Sequence, residues 1–274
     1  MQNNLKIAFI GGGNMATALI GGLAGKLTAA ANIHVVDLEP AALARLQQQF
    51  GVSTATQINA ELAHSDVIVL AVKPQQMKEA VAQLLPHVKA QLILSIAAGI
   101  RTADLSRWLH GHAAIVRAMP NTPSLIGKGI AGMVATAGVS ATQREIADAI
   151  LRAAGETVWL DDEALIDAVT AVSGSGPAYI FYVLEAMQQA AQELGLSAEQ
   201  GNALALSTVV GAAQLAVQSS DPAAVLRQRV TSKGGTTHAA ISSMEASGVK
   251  QAIITAMKAA ATRGRELGEE FGQD

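Results

Sequence analysis

The chain has 274 residues and a mass of 28.1 kDa, with 50% apolar residues, 15% charged residues and a net charge of −3. It is too long for one small core and too apolar for a disordered chain, so one large or two modest domains are expected. Aromatics make up only 3% and cysteine is absent, which argues against nucleic-acid binding and removes disulfides, thiolate catalysis and cysteine-ligated metal sites.

The apolar run before the first glycines, 7–10, is too short for a signal segment. The most apolar later stretch, 203–217, is interrupted by Ser207, Thr208 and Gln214 and falls short of the roughly 20 residues a membrane span needs. A cytoplasmic protein with neither a membrane nor a nucleic-acid partner is the expectation, and no metal site is expected.

The first half alternates short β-branched runs with helical patterns. Residues 6–10, 33–36, 67–72, 92–96 and 115–119 read as buried strands of a parallel sheet. Helical stretches lie around 16–23, 41–50, 75–84 and 102–109, and two more strands are expected at 130–135 and 157–160. The helix between these last two opens at Ser140 with Gln143 three residues on, the spacing of a capping box. The fold class expected is α/β, an N-terminal doubly wound, mainly parallel sheet followed by an all-α dimerisation domain.

Beyond Asp161-Asp162 the strands stop. Residues 177–194 read as one long helix, Ser197 with Gln200 opens another, Asp221-Pro222 a third, and 249–270 form a last, more charged one. This sets a dinucleotide-binding domain at 1–162 and a helical domain at 163–274 that binds substrate and dimerises. Residues 164–220 carry four charges, Asp167, Glu185, Glu193 and Glu199, and none is basic. A helix exposed in a monomer needs a polar face, so a second subunit is expected to cover these helices.

The strongest chemical signal is the first strand running into Gly11-Gly12-Gly13-Asn14-Met15-Ala16. The first glycine of Gly-x-Gly-x-x-Ala permits a tight turn, the second lets a pyrophosphate approach the backbone, and Ala16 lets the helix pack on the strand. Asp37 ends the second strand, where an acid hydrogen-bonds a ribose hydroxyl and repels a 2′-phosphate, so on residues alone NADH is expected. Two further corners, Ala71-Val72-Lys73-Pro74 and Ala97-Ala98-Gly99, fall where parallel strands deliver their carboxyl ends to a ligand. Taken singly, Lys73 reads equally as a solvated charge and 97–99 as a plain turn, but their placement in successive βα corners favours lining the cofactor.

Three loops rich in small polar residues remain: Met119-Pro120-Asn121-Thr122-Pro123, 173–178, and Thr231-Ser232-Lys233-Gly234-Gly235-Thr236-Thr237. The third precedes a helix, so its amides and hydroxyls form either an anion site or an ordinary glycine-rich cap. With the glycine loop, Ala-Val-Lys-Pro at 71–74 and Ala-Ala-Gly at 97–99, these motifs make the chain similar, over nearly its full length, to the pyrroline-5-carboxylate reductases. Where many family members have proline before the Gly-Gly pair, this chain has Lys233.

The resemblance implies a Rossmann domain, a helical domain that forms a homodimer, an active site between them, and reduction of 1-pyrroline-5-carboxylate to proline. It implies NADPH or NADH, commonly NADPH. It places the substrate carboxylate on Ser232, Gly234, Gly235, Thr236 and Thr237, with the Thr237 hydroxyl near the ring nitrogen, and it places Asn121 and the 173–177 loop near the nicotinamide. A protonated cyclic imine is already an electrophile, so catalysis is mostly positioning. His238 reads as an outward residue at a helix start. Two competing readings fit the residues less well. A β-hydroxyacid dehydrogenase resembles its relatives in carrying a lysine on the long helix, and 177–194 has none. A non-catalytic dinucleotide sensor leaves the substrate loops unexplained.

Overall fold

The computed structural model describes residues 4–273. Among them, eight strands form one sheet: β1 (Ile7–Ile10), β2 (Ile33–Val36), β3 (Ser53–Ala55), β4 (Val67–Leu70), β5 (Leu92–Ser95), β6 (Ile115–Met119), β7 (Gly129–Ala135) and β8 (Gly155–Trp159). Their spatial order is β3-β2-β1-β4-β5-β6-β7-β8. All neighbours run parallel except β6 and β7. The reversal follows from chain length. Only the short segment 120–128, most of it the 3₁₀ turn Thr122–Ile126, joins β6 to β7, whereas a parallel crossover takes a dozen residues or more.

β1, β4 and β5 are buried throughout without alternation, because helices cover both faces of the sheet there. Side chains still divide by the two-residue period. Ile7, Phe9, Val67 and Val69 pack with α1 (Asn14–Leu23), α2 (Pro40–Phe50) and α5 (Ala141–Arg152). Ala8, Ile10, Ile68 and Leu70 pack on the other face with α3 (Pro74–Leu84) and α4 (Thr102–Trp108). Each fully buried large side chain, such as Phe9 or Leu70, contributes roughly 1.5–3 kcal/mol over leaving it exposed. The expected capping box forms on α5, with reciprocal bonds between Ser140 and Gln143.

After β8 the chain is helical. α6 (Leu165–Val169) runs into a π-turn at Thr170–Gly174, then come α7 (Gly176–Glu193), α8 (Ala198–Gln218), α9 (Ala223–Arg229), α10 (Thr236–Ala246) and α11 (Val249–Phe271). α8 opens with the second expected capping box, Ser197 with Gln200. The described residues form two compact units. One runs up to Ser175 and includes the segment from Ala260 onward; the other is Gly176–Ala259. The expected boundary at 162 lies just past β8, ahead of α6 and the π-turn. Among the described residues no single helix is long and apolar enough to cross a membrane.

Candidate active site

Register brings the predicted cofactor residues to one edge of the sheet. Ile10 pairs with Val36 and with Leu70, and Leu70 pairs with Ser95. The residues that follow, Gly11, Asp37, Ala71 and Ile96, therefore leave the sheet side by side at its carboxyl edge. Gly11 has φ +103°, and a Cβ there would lie 2.7 Å from the Ala71 carbonyl carbon and oxygen. Only glycine fits, because both the backbone conformation and the approach of β4 exclude a side chain. The Gly12 amide donates to Asp37 Oδ2 at 2.5 Å, and the Glu39 amide donates to Asp37 Oδ1 at 2.8 Å. Gly13 is exposed, with no atom within 4 Å of the place its Cβ would take.

The four helices that leave this edge differ in how their first amides are satisfied. Glu39 caps α2 by accepting from the Ala41 amide at 3.4 Å. Glu163 closes α4, taking the Thr102 amide at 2.8 Å and the Thr102 hydroxyl at 2.5 Å. The N-caps of α1 and α3, Gly13 and Lys73, make no side-chain cap. A helix start leaves amides without intrahelical partners and carries positive potential. At α1 those amides belong to Asn14, Met15 and Ala16, beside the open space over Gly13. Such a helix start suits an anion such as a pyrophosphate. Lys73 is exposed, ahead of Pro74 in the first turn of α3, while Ala71 and Val72 are half-buried.

Two of the predicted positions also have partners within the protein. Gly99 has φ +73°, and a Cβ on it would meet Phe271 Cδ2 at 3.0 Å; the end of α11 needs glycine there, next to the buried Ala97 and half-buried Ala98. Asn121 is 9% exposed. Its Nδ2 donates to the Ser173 carbonyl at 3.1 Å and its Oδ1 accepts from the Ile130 amide at 3.0 Å. Asn121 thus ties the end of β6 to β7 and to the π-turn that leads into the 173–177 loop.

One group was missed by sequence reasoning. Arg117, buried in β6, donates through Nη1 to Glu163 Oε1 at 2.9 Å, and Glu163 in turn holds Thr102. The signal was present, a cation inside the apolar run Ile-Val-Arg-Ala-Met at 115–119.

The 231–237 loop belongs to the helical unit. Gly234 takes φ +78°, and the Gly235 amide donates to the Ser232 carbonyl at 3.0 Å, closing a turn that starts α10 at Thr236. Gly235 is the N-cap and provides no side chain. The amides of Thr236 and Thr237 therefore stand at an open helix start. Ser232, Lys233, Gly234 and Thr236 are exposed and Thr237 is half-buried. No hydrogen bond to the Thr237 hydroxyl is made among the described residues, so that oxygen is not committed to capping. His238 is exposed.

The chain is similar to known proteins along nearly its whole length. A family model described as pyrroline-5-carboxylate reductase dimerisation matches residues 163–267, and one described as NADP oxidoreductase, coenzyme F420-dependent, matches 6–99. A pyrroline-5-carboxylate reductase of Pseudomonas aeruginosa is 49% identical over 269 residues, 98% of each chain. The solved structure of a pyrroline-5-carboxylate reductase from Coxiella burnetii superposes with a TM-score of 0.90 at 39% identity, covering 97% of this chain and 99% of that one. The Plasmodium falciparum pyrroline carboxylate reductase, solved with NADP bound, gives a TM-score of 0.86 at 28% identity over 98% and 100% of the two chains. With nearly one residue in two shared with the Pseudomonas relative over 98% of its length, the chain belongs to the pyrroline-5-carboxylate reductase family.

Proposed function

We propose that the chain reduces 1-pyrroline-5-carboxylate to L-proline with NADPH or NADH, the last step of proline biosynthesis, and that it works in the cytoplasm as a homodimer. The observation that carries the reading is the open glycine loop at the uncapped start of α1; in the helical unit, taken by itself, a second uncapped helix start stands at Thr236-Thr237. The first suits a dinucleotide pyrophosphate and the second a carboxylate.

When bound, the nicotinamide supplies a hydride to the carbon of the protonated C=N bond. The π-electrons of that bond pass to nitrogen, which becomes the neutral ring amine. The chain's residues position and hold. The amides of Thr236 and Thr237 receive the substrate carboxylate, with Ser232, Gly234 and Gly235 shaping the turn that presents them. The Thr237 hydroxyl accepts from the protonated ring nitrogen, keeping the C=N carbon aligned. Gly11–Ala16, Asp37, 71–74 and 97–99 hold the dinucleotide, and Asn121 keeps the loop at Ser173 against β7 beside the nicotinamide.

The homodimer rests on the helical unit. Phe181 on α7 is 60% exposed, and Leu204 and Val217 on α8 are 57% and 86% exposed, in a segment with no basic residue. An isolated chain rarely leaves so many large apolar groups in water. The reading is tested by incubating the purified protein with 1-pyrroline-5-carboxylate and each reduced nicotinamide cofactor. Formation of proline at the rate of cofactor oxidation supports it, and absence of turnover with both cofactors refutes it.

A further inference from the structure

We propose that the β2–α2 turn makes this chain select NADH over NADPH, with Asp37 as the specificity-determining residue and Glu39 as a second carboxylate behind it. The inference rests on the dinucleotide reading above and deepens it. It also runs against the NADPH preference that family resemblance implies.

Asp37 leaves the sheet beside the glycine loop, where the adenosine ribose of a dinucleotide lies. Its carboxylate is fixed on both oxygens, by the Gly12 amide at 2.5 Å and by the Glu39 amide at 2.8 Å. Each oxygen keeps a further lone pair, so the group can still accept from a ribose hydroxyl. A 2′-phosphate brings close to two negative charges to the same place. The carboxylate cannot turn away from it without leaving two backbone amides unpaired.

Among the residues of the β2–α2 turn none is basic. The turn reads Leu38-Glu39-Pro40, and Glu39, exposed, holds its own carboxylate over the start of α2. The Asp37 amide donates to the Ala55 carbonyl at 3.2 Å. Ala55 lines a cleft of about 460 Å³ whose polar lining, Thr54, Thr56, Gln57 and Asn59, is neutral. The first arginine after β2 is Arg45, inside α2. Asp37 therefore has two duties: it braces the glycine loop, and it sets the sign of the field at the ribose.

The test is direct binding of NADH and of NADPH to the full-length protein without substrate, followed by nicotinamide fluorescence. The parent is expected to bind NADH about tenfold more tightly or better, the scale of a carboxylate–phosphate repulsion at partly solvated distance. Asp37→Asn keeps one acceptor oxygen and loses the charge, so it should erase about tenfold of the NADH/NADPH preference, read as the ratio of the two affinities whatever the loss in NADH binding itself. Asp37→Ser should erase the preference and also weaken NADH, because the Gly12 amide loses its partner. Glu39→Gln leaves the Gly12 brace intact and should shift the ratio the same way by about two- to threefold, which keeps the proposal exposed if an Asp37 variant fails to fold. NADPH binding as tightly as NADH to the parent, or an unchanged ratio in Asp37→Asn, overturns the selectivity alone. Failure of both nucleotides to bind overturns the dinucleotide reading, and this inference with it.

Discussion

Gly13→Ala separates a ligand-binding glycine from a turn glycine. Gly13 sits at φ −72° and ψ −171°, an extended conformation that alanine adopts without strain, and no atom lies within 4 Å of the new methyl group. Two small stability effects oppose each other. Alanine removes unfolded-state freedom, gaining about 0.4–1 kcal/mol, and it is a poorer N-cap than glycine by about 0.5 kcal/mol or more. The net is close to zero, so the melting temperature should move by no more than about 2–4 °C. The methyl group instead fills the space through which a pyrophosphate reaches the α1 amides. Losing one charge-assisted hydrogen bond there costs about 1.5–3 kcal/mol, which weakens dinucleotide binding by roughly 10- to 150-fold. A thermal melt and a fluorescence titration on the same preparation read both quantities. Gly11→Ala is the contrasting control: a Cβ 2.7 Å from the Ala71 backbone at φ +103° should cost the fold about 2–5 kcal/mol. If Gly13→Ala binds dinucleotide as tightly as the parent, no phosphate approaches the loop and the reasoning fails.

Thr237→Ala should lower kcat/KM by roughly 10- to 150-fold, the value of one hydrogen bond to a charged group, with little change in melting temperature; Thr237→Ser should keep most of the activity. A large stability loss with normal specific activity would instead make Thr237 a structural residue. Leu204→Glu on α8 should give a monomer in sedimentation at concentrations where the parent is a dimer, whereas an unchanged dimer would place the interface elsewhere. His34 supplies a pH dependence: burial pushes its pKa below the ordinary histidine value, and the Glu61 carboxylate, 3.7 Å from Nδ1, opposes this only in part. The unfolded chain then binds the proton at a higher pH than the native one, so stability rises with pH across the interval between the two values and falls on acidification. Denaturant midpoints measured along that range should show the step, and His34→Gln should flatten it.

Most of the sheet could be read from the chain because its strands are continuous apolar runs and its helices carry explicit punctuation. The exception is β3. Ser53-Thr54-Ala55 is short, polar and paired on one side only, with β2, so its strand character comes from the neighbour rather than from its own pattern. The antiparallel pairing of β6 with β7 was not read from the sequence, although the 120–128 link is too short for a parallel crossover. The π-turn at Thr170–Gly174 left no trace in periodicity. At the site, the glycine loop and Asp37 were legible by residue type and spacing. The Asp37–Gly12 bond, the two-ended bracing by Asn121 and the closure of α4 by Glu163 were not, since each joins residues far apart in the chain through side-chain direction.

The end of α11 has a consequence for how the molecule is made. Phe271, half-buried, packs against the core of the sheet unit and against Gly99, and Arg101 Nη2 donates to the Arg265 carbonyl at 3.3 Å. The unit that contains β1 is therefore not complete when the ribosome has finished β8. It waits, with the surface around Gly99 and Ile100 uncovered, until α7 to α10 and then the segment beyond Ala260 have emerged. The apolar helices of the second unit are thus outside the ribosome before the first unit is closed. Nascent chains stalled just short of Ala260 should be more easily cut by protease within α4 than chains released after α11.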